Sequence, residues 1–203
     1  MYRRSLTRRH NGERERGSVL VELTMVLPLL ITLVLGMMEM GMAWRDQQTI
    51  VQASRQGARV GSHLGDDATA DQQAIEAALA VLDADQLANI RRIIVYKVTT
   101  ADGAVPPNCL AVSTSSATGG VNGTCNVYNK AGIDSGTYNL TYWRSAPSTP
   151  GGTNGRKVTL TGTGPDRMGV YVEVHRPWFT GYFPGDGSTL RAISVMQLEP
   201  DLT

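Results

Sequence analysis

From Gly17 to Trp44 the chain reads GSVLVELTMVLPLLITLVLGMMEMGMAW, an apolar run broken by Glu22 just inside its N-terminal edge and Glu39 near the far end. No charge falls between Leu23 and Met38. A helix needs about 20 such residues to cross a bilayer, so the run predicts a transmembrane helix. Arg3, Arg4, Arg8, Arg9, Arg14 and Arg16 precede it. That basic flank is expected to stay cytoplasmic, with everything after Trp44 exported. A carboxylate inside a membrane segment costs on the order of 2.5–3.5 kcal/mol, which predicts a partner or a task for Glu22. Glu39 lies close enough to the interface to snorkel. A cleavable secretory signal would have an apolar core of about 7–15 residues and a small-x-small exit. This run is longer, and Met40-Gly41-Met42-Ala43-Trp44 is no such exit. A plain anchor explains the length and the flank but gives no role to Glu22 or to the Gly17-Ser18 step.

The helical pattern continues past the apolar run. Between Arg45 and Leu64 there is no proline and no turn cluster, and Ile50, Ala53, Gly57, Val60, Gly61 and Leu64 recur at helical spacing. One long helix is expected from near Ser18 to about His63, bent at Pro28 and ended by Gly65-Asp66-Asp67. A second is expected from about Thr69 to Ala88, with Ala74, Ile75, Ala78, Leu79 and Leu82 on one face. The pattern then turns to β-branched and aromatic residues. Ile93 to Thr99 reads as a strand, as do Lys157 to Thr161, Met168 to His175 and Leu190 to Leu198. Met168 to His175 alternates as though one face were buried and one wet. Residues 100–156, rich in Gly, Ser, Thr, Asn and Pro, form a long insertion with short irregular strands expected around Tyr138 to Trp143. The aromatics between Pro177 and Pro184 are expected to cap a small sheet core rather than to bind a ligand.

Composition narrows the classes. The net charge of +1 hides an uneven distribution: from Arg45 onward 13 Lys and Arg face 14 Asp and Glu. That near-neutral balance argues against a nucleic-acid surface, which needs a clustered basic patch. Cys109 and Cys125 both lie on the side expected to be exported, where such a pair reads as a disulfide closing a Gly/Ser/Thr loop. Two free thiols or half of a metal site are the rival readings, but His10, His63 and His175 are too scattered to complete a zinc shell.

No catalytic constellation emerges, and the chain is expected not to be an enzyme and to need no cofactor or metal. Thr161 to Asp166 is glycine-rich but lacks the lysine and helix of a phosphate loop. Pro184-Gly185-Asp186-Gly187 reads as a turn without the acidic series of a calcium site. Asn122-Gly123-Thr124 and Asn139-Leu140-Thr141 match the glycosylation pattern, a triplet that arises readily by chance in Thr-rich loops.

The offsets within the first 59 residues carry a resemblance. Gly17-Ser-Val-Leu-Val-Glu22, then Leu27-Pro28, then Gly36-Met-Met-Glu39-Met-Gly41, closely resemble the TadE-like segment of tight-adherence pilus proteins. Ala53-Ser54-Arg55-Gln56-Gly57-Ala58-Arg59 resembles that segment's closing Ala-Ala-Arg-Glu-Gly-Ala-Arg element, and Met196 to Pro200 resembles endings common in the family. Leu23 stands where an aromatic residue is usual, and Thr24 where alanine is. The resemblance implies a minor pseudopilin-like component of the pilus machinery, cut by a prepilin peptidase between Gly17 and Ser18. The cut would give Ser18 a free α-amino group, and Glu22 could pair with the α-ammonium of a neighbouring subunit, offsetting the burial of both charges.

The sequence thus predicts an α+β protein of three parts. Residues 1–17 are a basic cytoplasmic leader, 18–44 a transmembrane helix, and 45–203 an extracytoplasmic domain whose long helix packs on a small antiparallel sheet, as in pilins. Expected partners are other pilin or pseudopilin subunits, the pilus assembly platform, the peptidase transiently and the lipid bilayer, with no nucleic acid. The alternative is an unprocessed, membrane-anchored binding or adhesion module. Ala53, Gly57 and Gly61 form a small-residue stripe that either meets another subunit's helix or packs on the chain's own sheet.

Overall fold

The computed structural model describes residues 12–113, 115–138, 140–143, 155–160, 162, 164–181 and 183–200, with side chains from Gly17 onward. It is an α+β structure in which a long N-terminal helix is followed by a five-stranded antiparallel sheet. Two units divide it, residues up to Met42 and Ala43–Thr203.

The first unit is helical. Helix α1 (Gly12–Leu64) begins earlier than the apolar pattern suggests and runs through Pro28 without ending. Proline removes one donor, but the rest of the ladder holds the helix together. Val19, Leu20, Leu23, Met25, Leu29, Val34 and Met37 are all exposed. Glu39 is buried, where the sequence placed it to snorkel. This is the one helix among the described residues that is long and apolar enough to span a membrane.

The second unit starts on the same helix. Gly65, at a φ of +56°, ends α1 in the left-handed conformation that glycine adopts most easily. The single helix expected over Thr69–Ala88 is two, α2 (Ala70–Leu79) and α3 (Ala84–Ala88). The break falls at Asp83, whose carboxylate accepts the Gln86 N–H at 2.8 Å while the Gln86 side chain accepts the Asp83 N–H at 3.3 Å. This capping box starts a new helix inside what reads as one periodic stretch.

The sheet runs β2 (Thr118–Val121), β3 (Cys125–Asn129), β1 (Ile90–Lys97), β4 (Arg167–Arg176) and β5 (Ser188–Gln197) in spatial order. Two short helices, α4 (Pro107–Leu110) and α5 (Lys130–Asp134), flank β3. The β2–β3 hairpin takes the place of the irregular strands expected around Tyr138 to Trp143, whose described residues form none. Lys157 to Leu160 is likewise not a strand. Its backbone is tied to a turn instead, the Lys157 N–H donating to Asp166 Oδ2 at 3.0 Å.

β4 is buried on both faces, not one. Met168, Val170, Val172 and Val174 join Ile93 and Val95 of β1 against Ile50, Ala53, Ile75 and Ala78 of the helices. On the opposite face Tyr171, Ile94, Tyr96 and Val127 are covered by Val98, Val105 and Cys109 of the segment after β1. Each such aliphatic side chain contributes about 1.5–3 kcal/mol on burial. That second cover, drawn from a region that reads as loop, is why the alternation does not mark a wet face. Tyr96 stands directly opposite Gly169, where any Cβ would run into its ring. The aromatics after β4 do not cap the core. Phe179 is 71% exposed and Phe183 37%, while Trp178 lies against Phe183 at 5.1 Å and donates to the Pro184 carbonyl at 3.3 Å. Tyr182 lies outside the described residues.

Candidate functional site

Three groups of residues carry the chemistry open to this chain, and the first is the apolar helix. Gly17, Ser18 and Glu22 all lie exposed on α1, with Ser18 and Glu22 one helical turn apart. The two threonine hydroxyls within the run are satisfied locally, Thr24 donating to Val21 O at 2.7 Å and Thr32 to Leu29 O at 2.9 Å. Glu22 is the single charged side chain from Gly17 to Met38. The geometry therefore places Gly17, Ser18 and Glu22 together on one accessible stretch of helix.

The second group is the small-residue stripe, which belongs to the second unit. Ala53 is fully buried. A Cβ at Gly57 would lie 2.9 Å from the Ala74 carbonyl oxygen and 3.2 Å from the Ala78 Cβ. One at Gly61 would lie 3.1 Å from the Ala74 Cβ and collide with the Met168 methyl. The stripe thus lets α2 and β4 of the same chain approach α1, which is the second of the two readings left open by the spacing.

The third group went unread in the sequence. Asp71, in the first turn of α2, is buried in an ion pair with Arg156 and accepts hydrogen bonds from Asn126 Nδ2 and the Tyr128 hydroxyl, each at 2.6 Å. Asn126 also clamps Trp143, donating to its carbonyl at 2.8 Å and accepting its N–H at 2.9 Å, and the Arg156 guanidinium lies 4.5 Å from the Trp143 ring centre. Burial, then the Asp71 charge, push the Tyr128 phenol well above its ordinary range. No spacing rule connects residues 71, 126, 128, 143 and 156. The only signal was compositional, polar residues inside β3 where a strand should bury apolar ones.

On the other face Cys109 and Cys125 are bonded, with Cα atoms 6.2 Å apart, tying α4 to β3. Nearby, Glu173 accepts from Arg92 Nε at 2.9 Å and from the Tyr171 hydroxyl at 2.6 Å. Burial pulls the Glu173 carboxyl upward, yet these donors and the positive charges of Arg92 and Arg191 together hold it below its ordinary value.

The histidines are paired apart from one another. His63 meets Glu199 at 2.8 Å, and His175 lies 3.3 Å from Arg91 and 3.7 Å from Asp186. His10 is outside the described residues, as is Asn139 of the second glycosylation triplet, while Asn122 sits exposed at the β2–β3 turn. Among the described residues no cluster of His, Cys, Asp and Glu is placed to hold a metal ion.

Comparison with curated proteins and with solved structures gave no match for the chain. A family model described as "TadE-like protein" matches residues 17–59, the stretch that holds Gly17, Ser18, Glu22, Ala53 and Gly57. Over that stretch, which takes in the apolar run and most of the helix beyond it, the chain is similar to TadE-like proteins.

Proposed function

We propose that this chain is a minor pseudopilin-like component of a tight-adherence pilus, held in the inner membrane by α1 with its Arg-rich end in the cytoplasm and its second unit outside. The observation that carries this reading is the TadE-like match over residues 17–59, combined with a lone carboxylate displayed on an exposed apolar helix. A prepilin peptidase cuts between Gly17 and Ser18, removing the arginines and leaving an α-ammonium one turn from Glu22. When such helices pack together, Glu22 of one subunit meets the α-ammonium of its neighbour. A buried pair of this kind sets register, and losing one partner is far more costly than losing both. The disulfide fits an oxidising compartment, consistent with the outward orientation.

Glu22→Gln tests the proposal. The variant is expected to reach the membrane in normal amounts, since removing a charge eases insertion. It should no longer co-purify with pilus subunits, and piliation should fall. Unchanged piliation and co-purification would contradict the assembly role and favour an anchored binding module.

A further inference from the structure

The second unit has a distinct end where α1 enters it, and its register can be read from side-chain contacts. A Cβ at Gly61 would meet Met168 and one at Gly57 would lie 3.4 Å from Val170, while Asp46 accepts from Arg176 Nε at 2.6 Å. β4 therefore runs antiparallel to the outer part of α1. From position 61 back to 46 the helix covers about 22 Å, and from 168 to 176 the strand covers about 26 Å, so the two keep pace. The loop that leaves β4 at Pro177 must emerge at the Ala43 end. β5 returns to the same place, where Gln47 Nε2 donates to the Arg191 carbonyl at 2.9 Å.

That end is aromatic. Trp44 is 72% exposed, and the β4–β5 loop brings exposed Phe179 and Phe183, with Trp178 against Phe183. Tryptophan rings, apolar in body and polar at one edge, concentrate where a bilayer meets water, and the two phenylalanines add apolar surface beside them. The charges there balance. Arg45, Arg91 and Arg191 are exposed, and so are Asp83, Asp85 and Asp186. α3 belongs to this end because Gln86 Nε2 donates to the Asp46 carbonyl at 3.5 Å.

We propose that the Ala43 end of the second unit rests in the headgroup layer of the bilayer, anchored by Trp44 and by the aromatic loop Trp178, Phe179 and Phe183. The inference rests on reading α1 as a membrane span. The occupant is lipid, because the chain continues from Ala43 directly into the apolar stretch and Trp44 lies within three residues of Asp46. The balanced charge makes the contact aromatic rather than electrostatic, so it holds on zwitterionic lipid and at high salt.

The test uses the full chain reconstituted in phosphatidylcholine vesicles. Trp44→Phe leaves Trp178 and the fully buried Trp143 as the emitters. Lipids brominated just below the headgroup should quench Trp178, and lipids brominated at the chain end should quench it less, with no change at high salt. The further substitution Trp178→Phe should abolish the lipid quenching. Phe179→Asp should weaken it while leaving the melting temperature unchanged; a lowered melting temperature instead would place the loop in the fold and overturn the proposal. Vesicle-bound protein whose Trp178 is untouched by shallow bromines would also overturn it. So would shielding of Trp178 that grows only with protein density, which would show a second copy covering the loop. Failure of the chain to float with the vesicles would overturn the membrane reading itself.

Discussion

Asp71 accepts from two neutral donors and pairs with a guanidinium in a buried site. The energy of such a pair shows when one member is removed, because the other is left as an uncompensated buried charge. Asp71→Asn is therefore expected to lower stability by about 3–5 kcal/mol, and combining it with Arg156→Met to recover much of the loss. Tyr128→Phe removes one hydrogen bond to the charged group and should cost less, about 1.5–3 kcal/mol. Chemical unfolding of the three variants checks the order. A second residue-scale expectation concerns alkali. Burial first, then the Asp102 charge, push the Tyr96 phenol up to about 12, and burial with the hydrogen bond to Glu173 does the same for Tyr171. An unfolded tyrosine ionises near pH 10. Between pH 10 and 12 the unfolded chain sheds protons that the folded chain keeps, so stability falls as pH rises through that window. Melting temperatures across it should decline, and Tyr96→Phe should shrink the decline; a flat profile would contradict the burial of these phenols.

At the scale of elements, the α1 stripe works as internal packing. Gly57→Leu would drive a side chain into the Ala74 carbonyl and the Ala78 methyl. Overfilling of this kind costs about 1–3 kcal/mol, so the variant should melt lower than the parent. The disulfide is an element-scale device as well. Its loop of about fifteen residues corresponds to roughly 3 kcal/mol in the chain-entropy model, so replacing both cysteines with serine should lower the unfolding midpoint accordingly. Thiol labelling of the denatured, unreduced protein should find neither cysteine free. The parts of the fold legible in the sequence were those written by periodicity: α1, the β1, β4 and β5 signals, and the apolar face of α2. The parts that were not legible depend on contacts across the chain. β3 carries Asn126 and Asn129, poor strand formers, and is a strand because Asn126 satisfies Asp71 and Trp143 while Val127 and Tyr128 pack on opposite faces. Asp83 ends one helix and starts another through a single cap. The loop aromatics read as core because their residue types fit a core; it is the exposure of Phe179 and Phe183 in the folded chain that shows otherwise.

For the whole molecule, the two units divide the work between them. The second is an α+β body whose buried polar cluster and disulfide are turned to its own stability. Among its described residues the first presents apolar side chains and one exposed acid, Glu22, to whatever surrounds it, and the TadE-like match runs from Gly17 of this unit to Arg59. Function on this account begins with the release of Ser18, because the arginines and the α-ammonium cannot both serve the same end of the helix. Intact-mass measurement of the protein extracted from native membranes tests that claim most directly. The account predicts a mature chain beginning at Ser18, and a Gly17→Leu variant that keeps its full N-terminal tail because a bulky side chain blocks the cut. A wild-type chain that still begins at Met1 in membranes bearing assembled pili would contradict it.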